Sequence, residues 1–173
     1  MLVTTMSQAV DAEPLFAPGM SGRKMYGFTL IELLVVVAIL VILLGIAAPS
    51  FSEFLAGQRA KGLSYDLTSD MMLARNEALK RNAAVVISRG GTGWQEGWAV
   101  TTAATNEVLS RRDGGPVQGV TVTGAPATIR FDVNGRVAWP MAAVRITIAS
   151  ASTNRCVELD PSGRARALSG ACT

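Results

Sequence analysis

The sequence predicts an α+β protein. A long N-terminal helix, transmembrane in its first half and amphipathic in its second, packs on an antiparallel β-rich C-terminal domain. Three observations carry this expectation. Phe28 to Ala48 is a 21-residue apolar run interrupted by one charge, Glu32; as a helix it measures roughly 32 Å, against a hydrocarbon core of about 30 Å. Beyond Pro49, Ala56, Ala60, Leu63, Leu67, Met71, Ala74 and Ala78 recur at spacings of three and four, the signature of one apolar stripe on a helix. From Ala83 onward the texture changes to short apolar runs separated by turn residues, as in an all-antiparallel sheet.

Residues 1–27 form a separate N-terminal segment containing Pro14 and Pro18 and the basic pair Arg23-Lys24 beside the apolar run. Basic residues on that flank hold it in the cytoplasm, which puts the chain beyond Phe51 outside as a single-pass membrane protein. The helix is expected over 28–82, with 28–48 in lipid. Pro49 removes one backbone donor and kinks the helix without ending it, since the pattern resumes at once. Asn82 is the expected stop.

The third segment, 83–173, contains nine candidate strands: "AVVIS", "GWAVT", "EVLSR", "VTVT", "ATIRF", "GRVAW", "VRITIA", "RCVELD" and "GRARA". Asn134-Gly135 suggests a hairpin closed by a type I′ turn, in which both central residues take positive φ. Pro161-Ser162-Gly163 marks a second hairpin between "CVELD" and "RARA". The glycine-rich stretches "GGTGWQEG" and "RDGGPVQG" read as connectors, and no internal repeat is evident.

Composition narrows the function. The chain has no histidine, which removes the commonest general base and metal ligand together. No nucleophile elbow, metal-ligand spacing or phosphate-binding loop is present, so the expectation is no enzyme, no metal and no cofactor. Cys156 and Cys172 suit an exported domain in an oxidising compartment, and two cysteines allow one pairing.

"G-FTLIELLVVVAIL", with Gly27 before Phe28 and Glu32 shortly after, closely resembles the class III signal of type IV pilins and type II secretion pseudopilins. The resemblance implies that a prepilin peptidase cuts between Gly27 and Phe28 and methylates the new N-terminus. Initiation at Met20 would give the leader "MSGRKMYG", nearer the usual length. It also implies a use for Glu32: a lone carboxylate in hydrocarbon is costly and persists only with a role, and in this family it pairs with the N-terminal amine of a neighbouring pilin as filaments form.

"SDMMLARNEALKRNAAVVI", residues 69–87, resembles the end of the helix and first strand in the GspH/FimT group of minor pilins, and "GWQEGWAV" resembles that group's Gly-Trp strand. Gly163-Arg164-Ala165-Arg166 matches the Gly-Arg-x-Arg motif of FimT-type members, which bind double-stranded DNA during natural transformation. The resemblance therefore implies DNA contact at Gly163, Arg164 and Arg166; Arg155, one strand earlier and next to Cys156, is the expected third contact, ahead of Arg145 and Arg136.

The residues are compatible with that role. On a strand, Arg164 and Arg166 would share a face about 7 Å apart, comparable with neighbouring phosphates on one DNA strand, and arginine's planar fork suits phosphate. Residues 28–127 hold eight basic and eight acidic side chains, whereas 128–173 hold six arginines against Asp132, Glu158 and Asp160. All of the formal +3 lies in this last stretch. With no aromatic beside "GRARA", binding should be independent of base sequence. Arginines on edge strands also discourage edge-to-edge pairing, so a structural minor pilin or type II secretion pseudopilin that primes assembly without binding DNA is the alternative.

Overall fold

The computed structural model describes residues 27–114 and 117–173. The leader expected over 1–27 lies outside them, apart from Gly27. The chain divides into two units, Met1–Ile39 and Leu40–Thr173.

Helix α1 (Leu30–Arg81) starts at Thr29, whose Oγ1 accepts the Glu32 N–H at 3.2 Å. Thr29 is the N-cap and Glu32 stands at N3, where an acidic group also complements the positive end of the helix dipole. Every large apolar side chain from Leu30 to Val37 is exposed, and α1 is long and apolar enough to cross a membrane by length and composition. Pro49 sits inside the helix and does not end it. The stop is at Asn82, whose φ of 49° is the left-handed conformation typical of a residue just past a helix end.

Within Leu40–Thr173, all seven stripe positions are buried, together with Gly57 and Ser64. Ser64 is tolerated there because its hydroxyl donates to the Lys61 carbonyl at 2.7 Å. Two antiparallel sheets complete the core. The first has the order β3-β2-β1-β5-β6 and the second β4-β7-β8-β9. Their strands are β1 (Val85–Arg89), β2 (Gly97–Thr102), β3 (Val108–Asp113), β4 (Thr121–Thr123), β5 (Thr128–Phe131), β6 (Val137–Trp139), β7 (Val144–Ala149), β8 (Asn154–Leu159) and β9 (Ala165–Ser169). Ile87, Val100, Ile129, Phe131, Ile146, Val157 and Leu159 share one cluster with Leu63, Leu67 and Met71 of the helix. The polar ends of two buried tryptophans are satisfied. Trp98 donates to Asp70 Oδ2 at 2.7 Å and Trp94 to the Pro126 carbonyl at 2.8 Å.

The Asn134-Gly135 hairpin differs from the expected type I′ turn. Of its loop residues Val133, Asn134 and Gly135, only Gly135 has positive φ, 68°. The cause is Asp132, whose Oδ1 accepts the Asn134 and Arg136 N–H groups, both at 2.9 Å. Its backbone closes the loop through Gly135 N–H to Asp132 O and Asp132 N–H to Arg136 O, each 2.9 Å. This is a three-residue hairpin loop with its last residue left-handed.

Candidate nucleic-acid interface

Strand alternation decides which arginines face together. In the register of β7, β8 and β9, Arg145 lies opposite Glu158, which lies opposite Arg166. Arg155 pairs with Ile148 and Ser169 instead. Period-2 alternation puts Arg155 on the same face as Val157 and Leu159, opposite to Arg166. There its guanidinium lies 5.4 Å from the Tyr65 ring centroid and donates to the Tyr65 hydroxyl at 3.2 Å. The structure therefore does not bring Arg155 beside Arg164 and Arg166: it is a strap between β8 and α1.

Arg166 is on the outer face of β9, an edge strand. A guanidinium nitrogen is 3.0 Å from one Glu158 oxygen, and Arg145 is 3.7 Å from the other. Arg164 does not lie on the strand. It precedes β9, closing the turn Asp160-Pro161-Ser162-Gly163, and its side chain is exposed. Cys156 and Cys172 are joined by a disulfide with Cα atoms 5.0 Å apart, bracketing this hairpin.

The C-terminal turn repeats the design of the earlier one. Asp160 N–H donates to Arg164 O at 3.1 Å and Gly163 N–H to Asp160 O at 2.9 Å. Asp160 Oδ1 accepts the Ser162 and Arg164 N–H groups at 2.8 and 3.2 Å. Gly163 has φ 82°. "DVNGR" (132–136) and "DPSGR" (160–164) are thus twin turns, each ending in an exposed arginine. The Ser162 hydroxyl also donates to Asp160, and this bond leads the interactions that hold the Asp160 carboxyl below its ordinary range; the N–H groups of Arg164 and Ser162 and the charge of Arg164 add to it.

The twins touch. The Gly135 carbonyl fills the space a β-carbon on Gly163 would need, and Val137 N–H donates to the Pro161 carbonyl at 3.1 Å. The stem of Arg75 on α1 runs beneath both: β-carbons on Gly135 and Gly163 would lie 3.0 Å from its Cγ and 3.3 Å from its Cδ. Arg75 Nε is buried without a hydrogen-bond partner among the described residues. Sequence reasoning missed this joint, although an Asp at the first and a Gly at the fourth position were readable turn signals in both segments.

A second basic cluster lines a cleft of about 340 Å³ beside β1, β2 and β3, with Arg89, Arg111 and Arg112 on its walls. These arginines are engaged. Arg112 is 3.2 Å from Asp66 and stacks 5.0 Å over Trp98, Arg111 is 3.7 Å from Asp113, and Arg89 donates to the Thr92 carbonyl. By contrast, Arg136 and Arg164 enter no ion pair among the described residues.

At the other end of the chain, Gly27, Phe28 and Glu32 all lie in the exposed N-terminal stretch, and a β-carbon on Gly27 would meet no atom within 4 Å.

Comparison with known proteins bears on both ends. The family described as Type II transport protein GspH matches residues 65–163, and the prokaryotic N-terminal methylation motif matches residues 22–48. The fold is similar to that of the type IV minor pilin FimU of Pseudomonas aeruginosa strain PAO1. One FimU crystal structure, in space group P21, gives a TM-score of 0.56 at 19% identity, covering 63% of this chain and 87% of FimU. A second, in space group P65, gives 0.54 at 20% identity, covering 62% and 91%. No curated protein matches the chain.

Proposed function

The chain belongs to the GspH family of pilin-like proteins, and from that premise we propose that it is a minor pilin that binds duplex DNA through its C-terminal hairpin during DNA uptake. The observation that carries this reading is Arg164. It is exposed and free of ion pairs among the described residues, and it stands at the end of a turn stapled by Cys156–Cys172. A rigid loop presenting an unneutralised guanidinium is suited to phosphate, because little ordering entropy remains to be lost on contact. The binding is independent of sequence, since phosphate contacts position a protein without reading bases.

In this reading a prepilin peptidase removes the segment up to Gly27 and methylates Phe28. The protein waits in the inner membrane with its β domain in the periplasm. Glu32 then pairs with the N-terminal amine of a neighbouring pilin as subunits enter the filament, whose surface or tip carries the hairpin. The alternative, a structural minor pilin or secretion pseudopilin, draws support from Glu158, which neutralises part of the arginine excess.

The test is a gel shift with the full chain in nonionic detergent and unrelated duplexes of equal length. Retardation of all of them, weakening as salt rises, is expected. No shift at low salt would leave the structural role.

A further inference from the structure

Resting on the DNA-binding reading above, we infer that the partner of Arg164 at the phosphate backbone is Arg136, at the end of the twin turn, with Arg75 as a third charge beneath both. The pair replaces the in-line pair Arg164 and Arg166 suggested by the motif.

The turns bring the two arginines together by construction. Each follows the left-handed glycine of a loop with the same hydrogen-bond pattern, and the loops meet where the Gly135 carbonyl packs on Gly163. Bond geometry across that contact keeps the Cα atoms of Arg136 and Arg164 within about 10 Å of each other, so their long side chains can reach adjacent phosphates.

Neither arginine is tied up in an ion pair among the described residues, although the Asp160 charge still acts on Arg164. Asp132 and Asp160 each spend Oδ1 on N–H groups of their own turn. Arg166 differs in both respects: its guanidinium is tied to Glu158, which also faces Arg145. Among the described residues Arg75 has no carboxylate partner and its Nε no hydrogen-bond partner. The helix thus brings a third positive side chain to the underside of the joint.

The experiment is fluorescence anisotropy of a mixed-sequence DNA duplex with the full chain in nonionic detergent, titrated at several salt concentrations. R136Q and R164Q should each lower the slope of log K against log salt by about 0.9 and weaken binding to a similar degree. R166Q should move the slope much less, and R136K, which keeps the charge, should stay near the unaltered protein. Thermal unfolding of each variant reports its folding. If R164Q loses binding while R136Q keeps both affinity and slope, the two-turn clamp is wrong and the DNA reading stands. If R136Q and R136K lose binding alike with a lowered unfolding midpoint, Arg136 is structural and the clamp is also wrong. If the unaltered chain binds no duplex, the DNA reading falls and takes the clamp with it.

Discussion

Glu158 and Arg166 face each other across β8 and β9, a carboxylate oxygen 3.0 Å from a guanidinium nitrogen. Arg145 approaches the other oxygen at 3.7 Å. One acidic group thereby engages two of the six arginines in the C-terminal stretch while cancelling a single charge, and it sets how much of the basic surface is available to an anion.

Replacing Glu158 with Gln should release both arginines. Exposed ion pairs contribute about 0–1 kcal/mol, so folding should hold while affinity for duplex DNA rises and its salt dependence steepens. Anisotropy titrations of E158Q beside the unaltered chain measure this. A weaker or unchanged response would mean that Arg145 and Arg166 take no part.

Gly163 is the least replaceable residue of the hairpin. Its φ of 82° disfavours any side chain, and a β-carbon would collide with the Gly135 carbonyl. G163A should destabilise the domain by more than about 1 kcal/mol, read as a lowered denaturant midpoint with an unchanged slope. An unaltered midpoint would mean that the turns separate without loss.

The Cys156–Cys172 bond closes a loop with a sequence separation of 16. Chain entropy assigns such a loop about 3 kcal/mol. The double variant C156S/C172S, or reduction of the native chain, should lower the thermal midpoint accordingly. Equal midpoints with and without reductant would contradict this.

Asp160 makes the C-terminal turn sensitive to acid. Its carboxyl is held below its ordinary range first by the Ser162 hydroxyl, then by the N–H groups of its own turn and the charge of Arg164. A depressed folded-state value contributes stability that is present above the unfolded-state value, about 3.9, and lost as pH falls through the folded one. Stability should therefore decline below about pH 4, and D160N should be less stable at neutral pH with a flatter acid limb. A D160N acid limb matching the unaltered chain's would show that Asp160 is not responsible.

Glu32 combines two separable features: it stands at N3, with its N–H capped by Thr29, and it carries a charge. Gln is accepted at N3, so E32Q keeps the cap and removes only the charge. Cleavage before Phe28 and membrane insertion should persist in E32Q, while recovery in sheared filaments should fall. Normal recovery would mean that the charge takes no part in assembly. Intact-mass analysis of the same preparations checks that the mature chain begins at Phe28.

Much of the fold was readable because it rests on local periodicity. The stripe from Ala56 to Ala78 is buried as expected, the run "VRITIA" coincides with β7, and "ATIRF" exceeds β5 by one residue. The candidate site was harder to read because it depends on register. Which face Arg155 takes, and that Glu158 sits between Arg145 and Arg166, follows from the register of three consecutive strands, which a shift of one residue would reverse. The twin turns escaped notice for another reason. Five residues are too few to register as a repeat, and Asn134-Gly135 is so strong a two-residue hairpin signal that it masked the role of Asp132. The N-cap Thr29, three residues before Glu32, was legible and was hidden by the oiliness of its surroundings.

The position of the twin turns over α1 also has a mechanical consequence. Beta-carbons on Gly135 and Gly163 would press on Arg75, and one on Gly135 on Leu79 as well. A tether fixed at these loops therefore pulls against the flank of the helix, with the disulfide preventing the last strand from peeling away like tape. Tension entering there passes into the element with the most continuous backbone hydrogen bonding, so the domain should yield late and as a whole under traction.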